Sequence, residues 1–280
     1  MDASVIVRAR NEESTIRDTL ICVRGQTVDS EIIVVDSGST DSTALIASQY
    51  CDRLISIPKG EFTYGRSLNV GASVARGRIL FSLSAHCVPA SRHWLEWSLD
   101  AYRDEAVGGT HGDAYGPDGQ PLHTPILAGV HELALDLTWG FSNHASSWRR
   151  DIWEEFPFNE RLAACEDKEW MWRICLAGWK LMVDPRLSVA TSHRRAAGPR
   201  RLAARIYREH RSLAQFLDFS PMPYSRLFNL WWSSFPRYSP SPRWKRRLSP
   251  LRTVELLGAL AGDHVGARHR FPDAIKITRG

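Results

Sequence analysis

The sequence predicts an α/β fold: a Rossmann-like, mostly parallel, doubly wound sheet with helices on both faces over residues 1–198, followed by a basic, mainly helical extension over 199–280. Two observations predict this. Short runs of apolar, β-branched residues alternate with segments whose apolar residues recur every three or four positions, and strands without polar alternation are those of parallel sheets covered on both faces. Charge divides the chain: between Arg194 and Gly280 there are 18 basic and 5 acidic residues, net +13, against net −8 before them, so the overall +5 hides an acidic body and a basic tail.

The elements follow in order. Residues 4–7 (Ser4, Val5, Ile6, Val7) form the first strand, and Ile16, Leu20 and Val23 recur at helical spacing with Ser14 or Asn11 available as a cap. Residues 31–36 form a second buried strand, and Gly38, Ser39 and Asp41 turn it into a helix around 43–46. Strands over 53–57 and 78–83 continue the series, separated by a helix near 67–76. A helix then runs through 94–97, Gly108 and Gly109 lead a strand toward Tyr115, and Glu166-Asp167 opens an amphipathic helix. Residues 180–184 and 188–193 complete the body as two short strands. Beyond Pro199, Leu202, Ile206, His210 and Leu213 share one face of an arginine-rich helix. A stretch with Trp231, Trp232, Trp244 and Lys245-Arg246-Arg247 precedes a last helix near 253–260.

In a doubly wound sheet ligands bind beyond the carboxyl ends of the strands, where strand order reverses. Three polar clusters fall at such ends, 8–13, 36–41 and 84–86, and are expected to face one crevice. The five cysteines are scattered without paired spacing, which suits a reducing cytoplasm. No apolar run approaches 18 residues and no signal-like stretch opens the chain, so a cytoplasmic protein, peripheral on the cytoplasmic membrane face if attached at all, is expected.

Glu166-Asp167 carries the chemistry. A helix N-terminus favours nearby negative charge, so a carboxylate there suits proton abstraction, although the pair by itself also reads as a helix cap.

Arg10-Asn11-Glu12-Glu13, Gly25-Gln26-Thr27 and the strand leading into Asp36-Ser37-Gly38-Ser39-Thr40-Asp41 are joined in order by further strings. These are Gly65-Arg66-Ser67-Leu68-Asn69, Ala75-Arg76-Gly77, Gly140-Phe141-Ser142-Asn143 and Glu166-Asp167. Over about residues 3 to 193 this succession resembles the family 2 glycosyltransferases with the GT-A fold, in particular the subgroup labelled rhamnosyltransferase-like.

The resemblance implies a nucleotide-sugar-binding and catalytic domain over 1–198. Arg8, Asn11 or Glu12, and Asp36 would contact base and ribose. Arg66 would clamp the diphosphate, since a guanidinium matches phosphate oxygens bidentately, with Asn69 orienting it or meeting the sugar phosphate. Asn143 belongs to the same donor site. Asp167 would be the general base of an inverting transfer, with Glu166 orienting loop or acceptor; one of Trp170 and Trp172 could line the pocket, with core the default for both. The family usually carries Asp-x-Asp where this chain has Ser84-Ala85-His86. Ser84 cannot replace a charged ligand, but His86 matches the last position and His193 ends a later strand, so these two are the candidate ligands of a divalent metal. Two imidazoles with diphosphate oxygens would suit Mn²⁺ better than Mg²⁺. Metal-free neutralisation by Arg66, His86, His193 and Arg194 is the alternative.

The implied partners are a nucleoside-diphosphate sugar and a hydroxyl or amine acceptor, which could be a carbohydrate, a lipid-linked oligosaccharide or a small molecule. His111, Asp113, His123, His131 and His144 lie in or beside the segment expected to shape the acceptor pocket. Two other classes stay open: a nucleotide-sugar-binding protein impaired in catalysis by Ser84, and a protein whose basic tail binds an anionic membrane or nucleic acid. The acidic body and the lack of a recognised motif disfavour nucleic acid. The tail could equally cap the body or form a homodimer contact.

Overall fold

The computed structural model describes residues 2–191, 199–218, 221 and 250–276, and the chain divides into two compact units. The first holds Met1–Leu162 and Glu166–His193; the second holds Ala163–Cys165 and Arg194–Gly280.

The first unit is built on strands β1 (Ala3–Ala9), β2 (Ser30–Asp36), β3 (Arg53–Ser56) and β4 (Ile79–Ser84), all mutually parallel. They are linked by helices α1 (Ile16–Arg24), α2 (Thr43–Ala47) and α3 (Tyr64–Val74). Every residue of β1 and β4 is buried because the sheet is covered on both sides. Val5, Val7, Ile32, Val34, Phe81 and Leu83 pack with Ile16, Leu20 and Val23 of α1. Ile6 and Val35 point the other way, toward α3, where Gly71 lets the helix approach; a Cβ there would strike the Ile6 side chain.

Beyond β4 come β5 (Cys87–Pro89), α4 (Trp94–Ala101), β6 (Val107–His111), β7 (Ile126–Ala128), α5 (Val130–Leu135), β8 (Ala145–Arg149), α6 (Arg150–Glu155), α7 (Glu166–Leu176), β9 (Lys180–Val183) and β10 (Val189–Thr191). The main sheet runs β3-β2-β1-β4-β8-β6-β9-β7. It is less uniform than the strand-helix alternation suggests: β8 is antiparallel to both β4 and β6, and β7 is antiparallel to β9. β10 leaves this sheet and pairs with β5. The reversal at β8 matters for the site, because an antiparallel strand begins where its parallel neighbours end. Leu83 stands opposite Ala145, so the residues just before β8 arrive at the carboxyl end of β4.

In the second unit α8 (Pro199–Phe216) packs on α9 (Pro250–Arg268), and β11 (Leu217–Asp218) pairs in parallel with β12 (Ile275–Lys276). Leu202, Ile206 and Leu213 are buried on the expected face, and His210 meets Asp263 at 2.9 Å. Gly258, Gly262 and Gly266 recur at one-turn spacing against the α8 backbone; a Cβ on Gly262 would lie 2.6 Å from the Tyr207 carbonyl oxygen. Gly262→Ala should therefore cost about 1–3 kcal/mol from overpacking, more than the roughly 1 kcal/mol gained in helix propensity. A thermal melt that is unchanged or raised would show that the two helices are free to separate. His193, Arg194, Trp231, Trp232, Trp244 and Lys245-Arg246-Arg247 lie outside the described residues.

Candidate active site

The strand order sets the place. From β1 the chain winds through α1 to β2 on one side, and from β3 through α3 to β4 on the other, so the order reverses at β1 and β4. Register then brings specific residues together at that switch point, with Arg8 opposite Ser84 and Ala9 opposite Asp36.

One group of residues builds a polar cradle at the ends of β1 and β2. Asp36 is buried and accepts hydrogen bonds from the Ser39 backbone N–H, at 3.0 Å, and from its hydroxyl. Asn11 adopts φ 53°, the left-handed region that asparagine tolerates, and its Oδ1 accepts from the Thr40 N–H at 2.8 Å. Asn11 is thus a turn-to-turn clasp and not a helix cap; the N-cap of α1 is Thr15, whose side chain makes no capping bond. Asp41 closes the same turn by accepting from the Thr43 N–H at 3.0 Å.

The second group is the centre of the site. Arg8 Nη2 donates to the Asn143 carbonyl oxygen at 2.9 Å and to Asn143 Oδ1 at 2.7 Å, and lies 3.4 Å from Ser84 Oγ. Asn143 in turn donates from its backbone N–H to Asp167 Oδ2 at 3.0 Å and from Nδ2 to Glu166 Oε1. Asp167 also receives the Lys168 N–H at 2.8 Å. Arg8, Asn143 and the adjacent pair Glu166 and Asp167, from three separate places in the sequence, therefore form one hydrogen-bonded chain. Ala85 is fully buried, its N–H bonded to the Arg8 carbonyl oxygen at 3.0 Å, so it contributes backbone only.

His86 stands beside Glu12. Its Nδ1 lies 2.8 Å from Glu12 Oε1, which places Glu12 against the imidazole and not solely at the nucleotide cradle. Arg66 is held differently: its guanidinium pairs with Glu61 at 2.7 Å and Glu160 at 3.5 Å. Asn69 donates to Glu160 Oε1 at 2.9 Å and to the Phe158 carbonyl oxygen, and accepts from Trp153 Nε1 and the Phe158 N–H. Asn69 thus orients the carboxylate that orients Arg66, and ties α3 to the 153–160 segment. Tyr64, at the start of α3, puts its ring 5.5 Å from the Arg8 guanidinium.

Lys168 escapes a reading of the sequence. It is buried, and its ammonium donates to the carbonyl oxygens of Phe141 at 2.6 Å, Gly140 at 3.1 Å and Trp139 at 3.4 Å, pinning the segment that delivers Asn143. His144 contributes its carbonyl oxygen to the Ser84 N–H, and its ring meets His111 edge-on at 5.4 Å. Of the five polar residues flagged around the acceptor segment, His123 and His131 are exposed, whereas His111 is buried. Trp170 and Trp172 are both buried: Trp170 packs on Phe141 and Phe158, so neither lines an open pocket.

Burial sets the protonation of the centre. Glu166 is 1% exposed, and burial, reinforced by the charge of neighbouring Asp167, pushes its carboxyl up to about 8, against the opposing pull of Arg8 and Asn143. For His144, burial and then the nearby Lys168 charge lower the imidazole to about 4.

The two shifts act in opposite directions on stability. Unfolding releases a proton from Glu166 between the ordinary carboxylate range and about pH 8, so its contribution is full below that range and is lost as pH rises through it. Neutral His144 contributes fully above its ordinary value of 6.5 and loses that contribution as pH falls toward 4. Glu166→Gln should therefore gain stability relative to the wild type between about pH 5 and 8. Paired denaturant titrations at several pH values measure this, and a pH-independent difference would contradict the neutral carboxyl.

Comparisons with known proteins bear on the family and the fold. The family model described as "Glycosyl transferase family 2" matches residues 4–155. The O-antigen chain rhamnosyltransferase WbaN of Salmonella anatum is 28% identical over 180 residues, covering 59% of this chain and 57% of that protein. The chain thus spans little more than half the length of this relative. Among solved structures, the mannosyltransferase PcManGT from Pyrobaculum calidifontis, in complex with GDP-Man and Mn²⁺, superposes with a TM-score of 0.60 at 18% identity, over 95% of this chain and 73% of that one. S. aureus TarS 1–349 in complex with UDP-GlcNAc gives 0.57 at 17% identity, over 97% and 93%. At such identities these likenesses establish a shared fold.

Proposed function

The chain belongs to glycosyl transferase family 2, and from that premise we propose that it transfers a sugar, with inversion, from a nucleoside-diphosphate sugar to an acceptor hydroxyl. The observation that carries this reading is the chain Arg8–Asn143–Asp167. It sets a fixed cation and a carboxylate on either side of one asparagine, at the switch point of a GT-A sheet.

The transfer needs a base for the acceptor proton and positive charge at the departing diphosphate, because its transition state has oxocarbenium character. Asp167 takes the proton. Two backbone N–H groups fix its oxygens, and it is 8% exposed, enough to face an acceptor. As the acceptor oxygen bonds to the anomeric carbon, the bond from that carbon to the diphosphate breaks on the opposite side. Glu166 orients Asn143, and its raised carboxyl spares the centre a second negative charge beside Asp167. The cradle of Asn11, Asp36 and Ser39 meets base and ribose.

His86 fits as a ligand for a divalent ion: Glu12 engages its Nδ1, and a carboxylate bonded to one ring nitrogen is the usual support of a metal-binding histidine. Such an ion would neutralise diphosphate charge. Among the described residues no cluster of three or more His, Cys, Asp or Glu is gathered to hold a metal, so diphosphate oxygens and water would complete most of the shell. Mn²⁺ suits a mixed imidazole and oxygen set.

A thermal-shift screen of UDP-, GDP- and dTDP-sugars, with and without Mn²⁺, tests the donor, and a dTDP-deoxyhexose comes first because of the rhamnosyltransferase relative. Stabilisation by one class and release of that nucleoside diphosphate with acceptor are expected. Failure of every donor to stabilise the protein would sink the reading. His86→Ala should weaken Mn²⁺ and nucleoside diphosphate together, by about tenfold or more, measured by calorimetry; independent binding would remove His86 as a ligand.

A further inference from the structure

Arg8 is a permanently charged side chain that is 9% exposed and whose hydrogen-bond and ring partners are all neutral. Its Nη2 reaches the amide and carbonyl oxygens of Asn143 and the hydroxyl of Ser84, and its guanidinium faces the Tyr64 ring. Its Nε, also buried, has no hydrogen-bond partner among the described residues. No carboxylate forms an ion pair with it among the described residues; Glu166 feels its charge but is hydrogen-bonded to it only by way of Asn143. Burying a charge without a counter-ion is costly, by several kcal/mol even after relaxation. A fold keeps such a group when a ligand supplies the missing anion. The orphaned N–H gives that ligand a second point of attachment, in the fork geometry that suits phosphate oxygens.

Ser84 sharpens the argument. The strand register sets it directly beside Arg8, in the position where the resemblance leads one to expect a carboxylate. A carboxylate 3.4 Å away would take up the guanidinium charge, whereas a hydroxyl leaves it for the ligand. Arg66, the arginine that the sequence motif singles out, has the opposite standing: it is more exposed and already paired with Glu61 and Glu160.

We propose that Arg8, with Ser84 as its neutral neighbour, is the built-in cation that binds the diphosphate of the nucleotide sugar and stabilises it as it departs. The inference rests on the donor reading above and assigns Arg8 to the diphosphate instead of base and ribose. As the bond between the anomeric carbon and the diphosphate oxygen breaks, the electron pair stays on that oxygen, and the added charge develops beside the guanidinium. The acceptor's proton goes to Asp167.

The test compares wild type, Arg8→Met and Arg8→Lys by calorimetry. The probes are UDP, GDP and dTDP and their parent nucleosides, first in excess chelator and then with Mn²⁺. In chelator, Arg8→Met should weaken the preferred nucleoside diphosphate at least about tenfold while changing the nucleoside less than about twofold. Arg8→Lys, a point charge without the fork, should fall between. Equal losses for nucleoside and diphosphate would place Arg8 at base or ribose and overturn the proposal, as would undiminished diphosphate binding. Should Arg8→Met fail to fold, the Arg8→Lys ratio decides by the same criterion. A wild type that binds no nucleoside diphosphate would bring down the donor reading as well, which separates the two failures.

Discussion

Asp167→Asn is expected to lower kcat by at least about 10²-fold while the affinity for the nucleoside diphosphate stays within about twofold of wild type. The substitution is nearly isosteric, and the asparagine oxygen can still accept the Asn143 N–H that Oδ2 accepts now. Its amide nitrogen would, however, turn a donor toward the Lys168 N–H, so one of the two backbone bonds is lost at a cost of about 1 kcal/mol. That penalty is too small to unfold the site, and what disappears is the basic oxygen. Steady-state kinetics with separate measurement of diphosphate binding distinguishes the effects. If the Asn variant kept near-normal kcat, the base would have to be sought elsewhere in the centre. Glu166→Gln provides the internal contrast: a carboxyl already held toward its neutral form loses little by amidation, and a fall of less than about tenfold is expected.

How far the site could be read from the sequence depends on which interactions place its parts. The strands β1, β2 and β4 were legible because residues such as Val5, Ile33 and Leu80 are buried on a sheet covered on both sides, which leaves an unbroken apolar run in the chain. The turn from Asp36 to Asp41 was legible because its hydrogen bonds are local. The reversal of β8 was not: strand direction is set by pairing with β4 and β6, far away in sequence, and nothing in Ala145–Arg149 records it. That reversal carries Asn143 to Arg8, 135 residues away. Arg66 shows the complementary case. Its motif spacing is local, but Glu61 and Glu160, which take up its charge, include a partner 94 residues distant. Lys168 carried no signal at all, since a lysine beside two acids reads as a solvated helix turn until its ammonium is seen against the carbonyl oxygens of 139–141.

Asn143→Ala should be the most damaging single substitution for the integrity of the site, costing about 3–5 kcal/mol, because one amide serves two buried ionisable groups. Its loss would strip Arg8 of its shortest contact and Glu166 of its donor. The backbone bonds from Asn143 to Asp167 and Arg8 would remain, so donor KM should rise more than kcat falls, the reverse of the pattern for Asp167→Asn. Asn143→Asp separates shape from charge. It keeps an acceptor for Arg8 but replaces the donor facing Glu166 with a carboxylate, an arrangement that is acceptable only while Glu166 carries a proton that it can donate in return. Because burial and Asp167 raise the Glu166 carboxyl, Asn143→Asp should be tolerated near pH 6 and destabilised progressively toward pH 8 and above, as three carboxylates come to share one buried site. Chemical denaturation of both variants across this range measures the effect. An Asn143→Ala protein within about 1 kcal/mol of wild type, or an Asn143→Asp protein whose stability ignores pH, would mean that Arg8 and Glu166 are held in place by other contacts.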